Sequence, residues 1–329
     1  IRQILGFIYL TFIPGILLLK LLKIKNLNSA KSILFSSGLS IALLMFVGLF
    51  VNELGPIIGI SEPLSTVSLT IIMNLVIFLL CFISYFRNKD GILLTSFSLP
   101  PLTLVFICLP LLSVFGTFLV NNSENNSILL LMIAIIPVLV TLSAISKKLL
   151  PPSFYPLALL TIAFALLFHT SLITNYIIGF DEHTEYYVFE FTKNNLQWDK
   201  MFTAGGRFYT ELLSANSMLS DTILPVIYSQ ILKLNGSFVF KILYPFIFSF
   251  LPFGLYQLWH SKIGEKNLSS LGVFLSTFFI ISISRFYLLL PSKQIVAELF
   301  YILLFIVLFD KNIESEKRIF LFVNFLTVE

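Results

Sequence analysis

Three carboxylates and an imidazole fall within five consecutive residues, Asp181-Glu182-His183-Thr184-Glu185, directly after an apolar run that ends in Tyr176-Ile177-Ile178-Gly179-Phe180. If the chain restarts there as a helix, Asp181 and Glu185 stand at i and i+4 with Cβ atoms about 5–6 Å apart. Carboxylates at that spacing share a proton, a cation or a hydroxyl group. The same letters also read as helix punctuation. Gly179 then closes the preceding helix in a left-handed conformation, Asp181 is the N-cap of the next, and Glu182 and Glu185 are first-turn acids that complement its dipole. The two readings are compatible, because a capping Asp can be presented to a substrate.

Other groups suited to chemistry are sparse. Arg207, Arg285 and Lys293 are cations on the same side of the chain as the acids, and each also reads as a snorkelling interface residue. Glu298 lies about one turn past Lys293 and pairs with it if that segment is helical. His183 reads as a solvated interfacial residue, and His169 lies inside an apolar run, where an ionisable side chain is a functional candidate. Tyr186, Tyr187, Phe189, Phe191 and Trp198 give the acidic segment an aromatic face suited to a headgroup layer or a sugar ring. Cys81 and Cys108 have neither CxxC spacing nor nearby histidines, so no disulfide framework or zinc site is indicated. No Gly-rich phosphate loop, GxSxG elbow, HExxH motif or internal repeat is present. Sequons at Asn121 and Asn125 lie a few residues from apolar runs and carry little weight.

The elements that must position these groups are set by composition. The 329 residues are 57% hydrophobic and 12% charged, with 36 Phe, and the mean hydropathy is +0.95. Polar side chains are too few to cover a soluble globule of this size, which makes the chain an all-α, polytopic transmembrane protein in contact with membrane lipid. The net charge of +4 is dispersed in short clusters, so nucleic-acid binding has no support. A hydrocarbon core needs roughly 20 apolar residues of helix. Runs near 4–22, 32–51, 66–86, 100–120, 127–146, 155–179, 237–259, 268–284 and 294–309 meet that need. A tenth begins at 319 and stops with the chain at Glu329, as a fragment would.

Lys and Arg collect in alternate linkers: Lys20, Lys23, Lys25 and Lys31, then Arg87 and Lys89, then Lys147 and Lys148. The linkers between them hold only Glu53 and Glu62, or Glu124. By the positive-inside rule the linkers near 25, 89 and 148 are cytoplasmic and the polar segment Asp181–Asp221 is outside. Thr222–Leu234 is too short to span and reads as a re-entrant or interfacial helix, taken here to lie on the surface. The chain then divides into five N-terminal spans, residues 1–150, and a second region, 151–329, that carries the long external loop 180–236.

At this point the arrangement resembles a family. A span that runs outward and delivers Phe180-Asp181-Glu182, an aromatic helix after it, the segment Leu219–Leu234 with Asn235-Gly236, and a returning span ending Leu258-Trp259-His260-Ser261-Lys262 are similar to the GT-C superfamily of membrane glycosyltransferases. Protein O-mannosyltransferases and lipid A aminoarabinose transferases are the nearest in style. The resemblance covers roughly residues 155–310. The chain departs from it in carrying five extra spans, which are similar to uncharacterised predicted membrane proteins of archaea. It also has Ser220-Asp221-Thr222 where a Pro-Pro pair often opens the interfacial helix.

What the resemblance implies is transfer of a sugar from a polyprenyl-phosphate donor to an acceptor on the extracytoplasmic face of the cell membrane, with inversion at the anomeric carbon. Asp181 would be the general base, and Glu182 would orient the acceptor or help hold a divalent ion. Asp181 and Glu185 would offer oxygen ligands to a divalent cation such as magnesium or manganese. Arg207, Arg285 and Lys293 would meet the lipid phosphate, and Tyr186 and His183 would line the substrate site. Two other classes fit the same residues: a transporter or flippase gated by the external loop, and a membrane scaffold whose acidic loop binds a partner.

Overall fold

The computed structural model describes residues 1–24, 27–87, 100–179, 181–200, 209–263, 267–283, 292–310 and 313–326, and among them every regular element is helical. The helices are α1 (Arg2–Leu22), α2 (Ser29–Leu54), α3 (Thr66–Arg87), α4 (Pro101–Ser123), α5 (Ser127–Ile145), α6 (Tyr155–Leu172), α7 (Asp181–Asn195), α8 (Tyr209–Asn216), α9 (Ile223–Leu232), α10 (Gly236–Ile263), α11 (Asn267–Ile283), α12 (Ser292–Phe309) and α13 (Ser315–Leu326). Short 3₁₀ turns, Pro56–Ile58 and Pro152–Phe154, precede α3 and α6.

Eight of the described helices are long and apolar enough to cross a membrane: α1 to α5, α6 with its leading turn, α10 and α12. Exposed Leu, Ile, Val and Phe along α3, α4 and α5 are what a lipid-facing surface requires. The chain is a multi-pass membrane protein. The run expected at 268–284 forms the 17-residue α11, short for a span, and the run from 319 lies in the 12-residue α13.

The sixth run stops earlier than its apolarity indicates. Its helix ends at Leu172, and Thr174 folds the chain into a local turn, its hydroxyl donating to the Tyr176 carbonyl at 2.8 Å. The carbonyls freed at that end find side-chain partners: Asn121 Nδ2 donates to Leu172 O at 2.9 Å, and Lys241 Nζ donates to Thr174 O. Orphan carbonyls met in this way remove the need for another turn of helix.

The chain forms two compact units. The first comprises Ile1–Gly91, Gly179–Phe240 and Pro291–Glu329, and the second Ile92–Ile178 and Lys241–Leu290. In the first, α1 and α2 approach so closely at Gly15 that a Cβ there would lie 1.9 Å from the Ser36 carbonyl oxygen, and the Gly15 N–H donates to Ser40 Oγ at 2.8 Å. In the second, α4, α5, α6 and α11 bury a core in which Tyr155 stacks on Phe274 with ring centroids 4.5 Å apart.

Helix α9 sits in the first unit against α1, α2, α3 and α7. It is packed more closely there than its length and composition indicate. Ile223, Leu224, Val226 and Ile227 are fully enclosed, and Tyr228 hydrogen bonds Thr11 of α1 at 2.9 Å. A helix with one face in lipid would expose a stripe, whereas eight of the ten residues of α9 are buried and only Gln230 and Ile231 are partly exposed.

Contacts between linkers follow the charge alternation. Within the first unit the α2–α3 linker meets the segment after α7: Leu196 O accepts from Leu64 N at 2.8 Å, and Lys200 pairs with Glu53 at 2.6 Å. Both belong to the Lys- and Arg-poor side. At the basic side, Lys31 pairs with Asp310 at 2.6 Å, and Lys317 donates to Lys23 O at 2.8 Å.

Candidate functional site

Helix α7 carries the acidic motif. Glu185, Val188, Phe189 and Thr192 recur at three- and four-residue spacing and form its buried stripe, while Asp181, His183 and Tyr187 are exposed. A carboxylate inside an otherwise apolar stripe demands partners. Glu185 is 1% exposed, and its Oε2 accepts two hydrogen bonds from Ser292, from the backbone N–H and from Oγ, each at 2.6 Å. Lys293 Nζ lies 3.7 Å from Oε1. Ser292 is the first residue of α12, so Glu185 satisfies a donor that a helix start leaves orphaned and sets negative charge at the positive end of the dipole.

Lys293 thus pairs with Glu185 and not with Glu298, which accepts instead from Gln294 at 3.1 Å. Lys293 and Glu298 are i and i+5 on α12 and so do not face each other, and the carboxylate within reach of the ammonium is the one buried at the helix start.

Glu182 is half-buried and folds back over Gly179. The backbone there has φ of +120°, and a Cβ would lie 1.8 Å from Glu182 Oε2, so only glycine permits both the turn and the carboxylate position. Burial pushes the Glu182 carboxyl up to about 7, and the neighbouring charges of Glu185 and Asp181 add to the rise against a restraining bond from its own backbone. Burial likewise raises Glu185, with the Ser292 bonds and Lys293 opposing. Gly179 does not close α6, which ended seven residues earlier, and Asp181 is the first helical residue of α7 and not its cap. The cap position, Phe180, lies outside the described residues.

Tyr186 is committed to packing. Its hydroxyl donates to Glu190 Oε1 at 2.8 Å, its ring meets Phe189 and Phe240 with centroids 5.6 Å and 5.3 Å away, and burial pushes its pKa up to about 12. Trp198 is also fixed. Asn52 accepts from its backbone N–H at 2.7 Å and donates to its carbonyl at 3.0 Å, and the indole N–H donates to Asn216 O at 2.8 Å. Arg207 and Arg285 lie outside the described residues.

The structure therefore brings Glu185 and Lys293 together beside Asp181 and Glu182, and leaves His183 exposed. Ser292, Glu190 and Asn52 were not singled out from the sequence. Pro291-Ser292-Lys293 does read as a helix start, but nothing local says that a carboxylate 107 residues away would complete it. Among the described residues no three His, Cys, Asp or Glu side chains converge as metal ligands, and the positive charge beside Glu185 is a lysine ammonium.

Chemically the arrangement offers an exposed carboxylate at Asp181, a carboxyl at Glu182 that exchanges its proton near neutrality, and a buried anchor one turn on. No protein-family model, curated protein or solved structure matches the chain.

Proposed function

We propose that the Asp181–Glu182 pair is the reacting centre of a membrane glycosyltransferase that uses a polyprenyl-phosphate sugar. The observation that carries this reading is the immobilisation of α7. Glu185 locks the first turn of α7 to the start of α12, which holds Asp181, four residues earlier, exposed on a fixed backbone. Preorganisation of this kind is what a general base requires.

In the proposed step Asp181 accepts the proton of the acceptor hydroxyl, and the acceptor oxygen bonds to the anomeric carbon from the face opposite the phosphate. The bond from that carbon to the phosphate oxygen breaks, and polyprenyl phosphate leaves with the electron pair. Glu182, protonated for part of the time near neutral pH, orients the acceptor by donating a hydrogen bond. Lys293 offers positive charge toward the phosphate, and Arg207 and Arg285 are the further cations of this reading.

The test is sugar-dependent release of polyprenyl phosphate by the purified protein given polyprenyl-phosphate sugars. Asp181→Asn should lower turnover about 10²–10⁴-fold with little change in thermal stability. Absence of release with every donor, or full activity in the folded Asp181→Asn protein, would reject the reading and leave transport or scaffolding.

A further inference from the structure

Among the described residues Lys241 is the only lysine or arginine that is buried, with 8% of its surface exposed. It belongs to the second unit and stands five residues into α10, about 7.5 Å along the axis of a helix long enough to cross a membrane. A lysine so near the end of a span ordinarily snorkels its ammonium out to water and headgroups. Lys241 instead turns into the protein. Ser171 Oγ donates to its carbonyl at 2.9 Å, and its Nζ donates to Thr174 O just past the end of α6. Asn121 Nδ2 donates to Leu172 O at 2.9 Å, which brings a second N–H donor to the same turn.

Capping of α6 explains part of this arrangement. A helix C-terminus carries about half a negative charge, and one of the three ammonium N–H groups meets a carbonyl there. The rest of the charge finds no partner in the second unit. Only two acids occur in its sequence, Glu124 and Glu265. Glu124 is exposed at the end of α4. Glu265, outside the described residues, follows Ile263, which stands about 33 Å along α10 from Lys241. Among the described residues no carboxylate pairs with Lys241. A buried ammonium without a counter-ion is strongly unfavourable, and water satisfies its N–H groups without cancelling its charge. The missing partner is an anion.

We propose that Lys241 and Asn121 form a site for a phosphate group at the end of α6. The ammonium meets a phosphate oxygen through the N–H groups that Thr174 leaves unused, and the exposed Asn121 marks the side of approach and offers its second N–H. Helices α4 and α6 end here and α10 begins, at the level where the phosphates of a bilayer stand. A lipid headgroup and a soluble phosphate therefore present the same oxygens to the same donors. The glycosyl-transfer reading uses neither residue, and this site does not depend on it.

Thermal unfolding in an uncharged detergent tests the proposal, with ionic strength held constant by chloride while inorganic phosphate, or dihexanoylphosphatidylglycerol below its micelle concentration, is added. The wild-type midpoint should rise and saturate as for one site. A response to the lipid alone assigns the site to a headgroup, and a response to free phosphate alone assigns it to a soluble phosphate. Lys241→Met keeps the apolar stem and should weaken the apparent Kd about tenfold to hundredfold, the loss expected of a hydrogen bond to a charged group. Lys241→Arg should keep the response, and Asn121→Ala should weaken it about threefold. Lys233→Met, at an exposed lysine of the first unit, should respond as wild type does. Lys241→Gln serves if Lys241→Met fails to fold. No saturable rise with either compound would overturn the site and leave Lys241 as a cap of α6 alone. A wild-type Kd in a folded, uncharged Lys241 variant would overturn the assignment to Lys241, and a wild-type Kd in Asn121→Ala would remove Asn121 from the site.

Discussion

Glu185 spends one oxygen on two donors of Ser292, so its removal strands a backbone N–H at the start of α12 and leaves Lys293 without its partner. Glu185→Ala should cost about 1.5–3 kcal/mol, read as a lower unfolding midpoint in detergent, and Glu185→Gln should cost less because an amide oxygen still accepts from Ser292. Equal losses in the two variants would mean that bulk, not hydrogen bonding, is what the site needs. Glu182 makes a separate prediction. Its pKa is raised from 4.5 to about 7, so the folded chain holds that proton more tightly than the unfolded chain does. The associated stability is complete below the unfolded value and is lost as pH rises through about 7. Glu182→Gln should therefore match wild type near about pH 5 and exceed it near about pH 8 in thermal midpoint. A difference that does not change with pH would remove Glu182 as the titrating group. The sequence shows how much of this was legible. The i, i+4 spacing of Asp181 and Glu185 was visible, but first-turn acids look the same whether they serve their own helix or another. The partner of Glu185 depends on tertiary packing across more than a hundred residues.

At the scale of elements, close approach decides which helices define the first unit. The Gly15 backbone lies against the Ser36 carbonyl, where a methyl group would meet backbone and not a side chain that can turn away. Gly15→Ala should therefore separate α1 from α2 and lower the unfolding midpoint. Gly272 in α11 faces open space, and Gly272→Ala should be neutral or stabilising, by up to about 1 kcal/mol, through helix propensity. If the two substitutions shift the midpoint alike, the α1–α2 crossing is looser than its geometry. Hydropathy located most helices because lipid and core make the same demand for apolar runs. It missed the end of α6 and the enclosure of α9 for a shared reason. The α6 run stays apolar past Leu172, but Asn121 and Lys241 meet the freed carbonyls. Helix α9 has a composition suited to lipid, yet it is enclosed by α1, α2, α3 and α7. In both cases the partner, not the local composition, set the outcome.

For the molecule as a whole, orientation is an expectation drawn from charge. Lys and Arg alternate between linkers, which by the positive-inside rule would put those after α1 and α5 in the cytoplasm and those after α2 and α4 outside. Within the first unit, the linkers that this rule puts on one side are those that touch: Glu53 with Lys200, and Lys31 with Asp310. Charge counting was legible in the sequence because it needs no tertiary information, whereas the pairing of particular linkers was not. The prediction is a labelling pattern. In a background with Cys81 and Cys108 replaced, both being exposed free thiols, single cysteines at Ser123 and Asn195 should react with a membrane-impermeant maleimide added to intact cells. Cysteines at Ser29 and Ser146 should react only after the membrane is opened. Asn195 follows the acidic motif on α7, so its result also decides on which face Asp181 works. Labelling of Ser29 but not Asn195 in intact cells would turn the chain over and move the candidate site to the cytoplasm, where a transferase that uses an external lipid-linked donor has no substrate.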